Sequence, residues 1–160
     1  MKLEIIAIGR MKAGPERDIA RRYAERFAGL GKGIGLDGPR LIELGESLAR
    51  RDQDRKAEEG EAILAVRQPG SKLVLFDEGG VVMDSLAFSG RIGEWRDAGA
   101  GAISFVIGGA DGLSPRLHAE AALVLAFGRM TLPHQLVRIL VLEQLYRVAT
   151  ILVGHPYHRA

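Results

Sequence analysis

The last seven residues hold the densest chemistry of the chain: Gly154-His155-Pro156-Tyr157-His158-Arg159-Ala160. Chain ends are usually small and polar. Here two histidines offer proton transfer near neutral pH, a tyrosine offers a stacking ring, and an arginine offers a fork for phosphate or an oxyanion. Two histidines three apart are also conceivable metal ligands. With no cysteine in the chain and no evident acidic third ligand beside them, no metal is expected. A second candidate is Gly108-Gly109-Ala110-Asp111-Gly112, where glycines let backbone approach a ligand and leave N–H groups free to bind it. The spacing is not G-x-G-x-x-G, and no phosphate-binding loop closing on Lys-Ser/Thr occurs, so a dinucleotide or triphosphate site is poorly supported. A tight turn would use the same residues. The third candidate, Phe127 to His134, mixes one glycine with apolar side chains. Such a loop can hold an aromatic base in an apolar slot while its backbone reads the base edge. A plain strand-to-helix connection is the alternative.

These segments need a scaffold, and apolar runs alternate with helical patterns along the chain. Leu3 to Ile8 reads as a buried strand. Pro15 opens a helix with Ile19, Tyr23 and Phe27 on one face. Five glycines between Gly29 and Pro39 predict a mobile loop. Leu41 to Leu44 is a weak strand, and Ser47 is placed to cap a helix reaching about Arg67, whose charged stretch Arg50–Glu61 reads as a solvent face. Leu73 to Phe76 is a strand closed by Asp77-Glu78-Gly79-Gly80. Asp84 or Ser85 caps the next helix. Ala102 to Ile107 is a strand, Ser114-Pro115 a cap with proline at the first helical position, and Leu123 to Phe127 a short strand. Pro133 opens the last helix. Five alternations predict one α/β domain, 1–160, with a mainly parallel sheet covered by helices on both faces. Ligands of such sheets bind beyond the carboxyl ends of the strands, which places loops 77–80, 108–112 and 128–132 in the site region. The last helix is apolar nearly all round from Leu136 to Leu152, which predicts burial against a second subunit; a helix central to its own domain is the other reading.

Composition narrows the classes further. At 160 residues, 47% hydrophobic and 26% charged, the chain is ordinary for a soluble globular domain. The absence of cysteine excludes a disulfide framework and a thiol nucleophile and fits a reducing, cytoplasmic setting. No signal-peptide pattern opens the chain, and Leu132 to Gly154 is interrupted by Arg138, Glu143 and Arg147, so no membrane span is expected. A net charge of +2 does not argue for nucleic acid, but four arginines against one glutamate from Arg129 to Ala160, with His134, His155 and His158, suit an anionic partner.

Four motifs then resemble one family. Val106-Ile107-Gly108-Gly109-Ala110-Asp111-Gly112-Leu113, Met130-Thr131-Leu132-Pro133-His134-Gln135-Leu136-Val137-Arg138, Glu143-Gln144-Leu145-Tyr146-Arg147 and Tyr157-His158-Arg159 are similar, in order and spacing, to the RlmH (YbeA) family of SPOUT-class 23S rRNA methyltransferases. The resemblance covers the whole chain and is weakest over residues 29–55. It implies a C-terminal trefoil α/β knot, a homodimer, S-adenosylmethionine as cofactor, and methylation at N3 of a pseudouridine in 23S rRNA of the ribosome. Carried over by residue, the cofactor contacts fall on Phe76, Gly108, Phe127, Gly128, Arg129, Met130, Thr131 and Leu132. Tyr157, His158 and Arg159 are then the candidates for base packing, proton acceptance and phosphate or oxyanion binding, with Arg138 a second candidate for anchoring RNA or the tail. The rival from another class is a non-catalytic, dimeric RNA- or ribosome-binding module. It does not need an apolar cofactor loop paired with a His/Tyr tail. A nucleotide-dependent oxidoreductase lacks its fingerprint here.

Overall fold

A computed structural model of the chain describes residues 1–158; Arg159 and Ala160 lie outside the described residues. In β1 (Lys2–Ile8) successive side chains enter opposite cores, Leu3, Ile5 and Ala7 on one side and Ile6 and Ile8 on the other. That period of two is what a strand covered on both faces requires. α1 (Pro15–Gly31) opens on its proline and buries Phe27, while Ile19 stays at the surface. Segment 29–39, expected as a mobile loop, is instead largely regular. α1 continues to Gly31, a 3-10 turn covers Lys32–Ile34, and β2 (Asp37–Leu44) begins before Gly38. Gly38 takes a φ of 132° and passes so close to the Leu3 carbonyl that a Cβ would collide with it. Its glycine serves strand contact.

α2 (Asp52–Val66) also departs from expectation, because Ser47 does not cap it. The Ser47 N–H donates to Glu59 Oε1 (2.9 Å) and its hydroxyl to Glu58, which lays segment 45–51 along the side of the helix. β3 (Lys72–Val82) outruns the expected strand. Phe76 and Val81 both pair with Leu125, so Asp77–Gly80 bulge out and the strand then resumes. Gly80 makes the return possible, since a Cβ there would lie 2.6 Å from the Leu125 backbone. α3 (Ser85–Asp97) is capped by Asp84, whose carboxylate accepts from the Ala87 N–H at 2.7 Å. β4 (Ala102–Ile107) is buried throughout. α4 (Pro115–Glu120) has the expected Ser114 cap and leads to β5 (Leu123–Ala126), and α5 (His134–Leu152) closes the fold.

All strand pairs are parallel, in the order β2-β1-β4-β3-β5. Ile63 of α2 and Leu117 of α4 seal one face; residues of α1, α3 and α5 seal the other. This is the expected α/β architecture. The apolar excess of α5 is mostly absorbed within the chain: Val141, Leu142, Leu145, Val148 and Ala149 join Phe27 and Ile92 in one core. Leu136, 45% exposed, still faces outward. Among the described residues no helix is long and apolar enough to cross a membrane.

Candidate active site

A cavity of about 460 Å³ opens at the carboxyl ends of β4 and β5 and at the Asp77–Gly80 bulge of β3. Each of those strands runs into one of the loops singled out by sequence, and the parallel sheet brings the loops together. Phe76 and the bulge residues Asp77 and Glu78 form one wall, Gly108 to Leu113 another, and Phe127, Gly128, Met130, Thr131 and Leu132 a third. His134 and Val137 reach it from the first turn of α5. The rings of Phe76 and Phe127 stack in parallel, 5.3 Å apart. Of the expected cofactor residues only Arg129 is missing from the lining; it is exposed on the outside of its loop.

The glycine loop is held from behind by α2. Arg55 grips Asp111 with two bonds, Nε to Oδ2 at 2.6 Å and Nη2 to Oδ1 at 2.8 Å, while its Nη1 donates to the Ala49 and Arg50 carbonyls. The fork holds the Asp111 carboxyl below the usual range, against the opposing pull of desolvation. A Cβ on Gly109 would lie 3.0 Å from the Glu59 carboxylate, and one on Gly108 would lie 2.9 Å from Leu113. A side chain at Gly108 therefore presses on the loop's own Leu113. Across the cavity the Thr131 hydroxyl donates to Glu78 (3.0 Å), the Gly79 N–H donates to Asp77 (2.8 Å), and His118 Nε2 faces Asp77 at 3.4 Å.

Three expected site residues, Arg138, Tyr157 and His158, stand elsewhere. Arg138 is only 3% exposed: it donates to the Ile8 and Gly9 carbonyls at 2.7 Å each and to Glu43 at 2.8 Å. Burial lowers its pKa and Glu43 opposes the shift. It pins α5 to the ends of β1 and β2, away from tail and solvent, so as placed it anchors neither. Tyr157 folds back on α5, its hydroxyl donating to Glu143 (3.0 Å), its ring 4.7 Å from that of Tyr146 and 4.9 Å from the Arg147 guanidinium. His158 turns Nδ1 toward Arg147 at 3.5 Å and buries Nε2 without a partner. Neither lines the cavity. From Val137 at the cavity to Arg147 under the tail, α5 advances about 15 Å. Arg159 lies outside the described residues. Sequence reasoning missed Lys56, which reaches the cavity wall from α2; a charged helical stretch gave no sign of it.

A parallel sheet whose strand ends and glycine loop enclose such a cavity, with the last helix running from it, defines a class. The chain belongs to the SPOUT methyltransferase family: residues 1–158 match the family described as predicted SPOUT methyltransferase. Along its whole length it is similar to proteins called ribosomal RNA large subunit methyltransferase H. That of Bradyrhizobium sp. (strain ORS 278) is 56% identical over 160 residues, covering 100% of this chain and 99% of the relative. That of Methylobacterium nodulans is 55% identical, covering 99% and 98%, and that of Sinorhizobium fredii 52% identical, covering all of both.

Proposed function

We propose that this chain methylates N3 of a pseudouridine in 23S rRNA of the large ribosomal subunit, in the cytoplasm, using S-adenosylmethionine and working as a homodimer. The observation that carries the reading is the cavity. Its apolar side, with Phe127, Leu132 and Val137, suits a purine; the glycine loop offers close backbone; its charged side suits an amino-acid zwitterion. The residues fit the cofactor. When bound, S-adenosylmethionine supplies a methyl group already activated by a sulfonium.

The protein's part is alignment and proton removal. For N3 to accept the methyl group that the cofactor would supply, the imide proton must leave for a base or water. His158 is the tail group suited to accept it, Tyr157 to pack the base, and Arg159 to hold phosphate. Within one chain Tyr157 and His158 lie along α5 away from the cavity, which favours a dimer in which the tail of one subunit serves the cavity of the other. The exposed Val82 and Phe127, lining an adjoining cleft of about 280 Å³ with Ser85 and Gln144, give that dimer apolar surface to cover. The strand order supports a trefoil path: β5 occupies one edge, and the chain then returns as α5 over α1 and α3.

The test is calorimetric titration with S-adenosylmethionine, paired with single-turnover methylation of ribosomes that lack the mark. Binding and transfer are expected, and deletion of residues 157–160 should abolish transfer while cofactor affinity stays within a few-fold. Cofactor binding without transfer to any ribosomal particle would leave the passive RNA-binding module as the better reading.

A further inference from the structure

Four ionisable side chains of unambiguous charge line the cavity: Lys56, Asp77, Glu78 and Asp111. The three carboxylates already have partners. Asp111 gives both oxygens to Arg55, Asp77 accepts from Gly79 and faces His118, and Glu78 accepts from Thr131. Lys56 has none: among the described residues no carboxylate lies within ion-pair distance of it. It is partly buried, so the cavity wall holds a cation whose hydration is reduced and which has no direct carboxylate partner; Asp111, near enough to feel its charge, is already gripped by Arg55. An anion entering there would supply the missing partner. Resting on the cofactor assignment above, we infer that Lys56 binds the α-carboxylate of S-adenosylmethionine and so fixes which way round the cofactor lies.

The chemistry of the ligand fits that placement. The cofactor carries one anionic group, the carboxylate, and two cationic ones, the ammonium and the sulfonium. Lys56 stands on α2 beside Asp111, whose carboxyl its charge helps to hold low, on the glycine-loop side of the cavity. With the carboxylate held there, the adenine is directed to the apolar side at Phe127, Leu132 and Val137. The sulfonium would then fall between these two ends, where the Asp77 and Glu78 carboxylates of the cavity wall would suit its charge. An rRNA phosphate is the other anion that could meet a lysine on the rim. The cofactor carboxylate is favoured because Lys56 contributes to the wall of the cavity itself.

Truncated ligands test this without turnover. 5′-Methylthioadenosine keeps the adenosine and the sulfur and lacks the amino-acid part. Lys56→Met should weaken S-adenosylmethionine binding about tenfold, the loss expected of one charge-assisted hydrogen bond. It should leave 5′-methylthioadenosine within about twofold, which also shows that the pocket is still folded. Lys56→Arg should recover most of the preference for the full cofactor. Equal weakening of both ligands would reduce Lys56 to a wall residue and overturn the assignment. So would unchanged cofactor binding with weaker ribosome binding, the signature of a phosphate contact. If the wild-type protein binds neither ligand, the cofactor reading itself fails.

Discussion

Tyr157 illustrates how a tail residue is tuned by what it packs on. Its phenol is desolvated against Tyr146 and engaged by Tyr23 and Glu143, and burial is the leading cause that raises its pKa above the ordinary value near 10. A raised folded-state pKa means the docked tail gains stability from the neutral phenol at every pH below about 10. That gain is lost only as pH rises through the higher folded value. The phenol's own contribution to docking should therefore be flat with pH across the neutral range, and the phenol cannot act as a base there. Spectrophotometric titration of the wild type against Tyr157→Phe should reveal a component ionising well above 10; ionisation at the ordinary value would mean the ring is not packed as described. At this scale the sequence was partly legible. Residue type and position after buried strands pointed to Gly108 and Phe127, since strand ends converge on a parallel sheet; Phe76 came only with the family resemblance, and it sits inside β3 just before the bulge. Arg138 was misread because a lone arginine on an apolar helix looks the same whether it faces RNA or two backbone carbonyls. Lys56 was invisible because its neighbours Arg55 and Glu58 made it one more charge on a wet helix.

At the scale of elements, α2 is tied to the glycine loop by polar contacts that no hydrophobic pattern reveals. Arg55 joins three pieces: the helix, segment 45–51 and the loop at Asp111. Arg55→Ala should leave the fold intact, since the pair is partly exposed and such pairs contribute little to stability. It should nevertheless loosen Gly108–Gly112 and raise the dissociation constant for S-adenosylmethionine several-fold. Arg55→Lys, which cannot grip both oxygens, should fall between. Titration of the three proteins decides; unchanged affinity in Arg55→Ala would free the loop from any dependence on α2. Element identity was read correctly from sequence wherever a continuous apolar run with clear stops marked it, as in β1, β4 and α5. It failed at 29–39 and at Ser47. There glycines and a serine answered to a neighbouring strand and helix, which local sequence does not show.

For the whole molecule, the separation of cavity and tail along α5 predicts complementation between subunits. Gly108→Val should crowd Leu113 and disable the cavity, while deletion of residues 157–160 removes the tail. Each is expected to be inactive alone. Mixed and allowed to exchange subunits, they should recover methylation of ribosomes, because one pairing unites an intact cavity with an intact tail. No recovery, with mixed dimers verified by mass spectrometry, would place both halves of the site in one chain. The strand order has a further consequence, for the chain's own synthesis. β1 lies between β2 and β4, and its register with β4 joins Lys2 to Ala102 and Ala7 to Ile107. Contacts this distant close slowly and late. A growing chain leaving the ribosome thus carries Leu3, Ile5 and Ile6 with one side unmatched until Ile107 has emerged, and its main core stays open until α5 follows. Nascent chains stopped before that point lack the sheet that would keep the first strand from sticking to its neighbours.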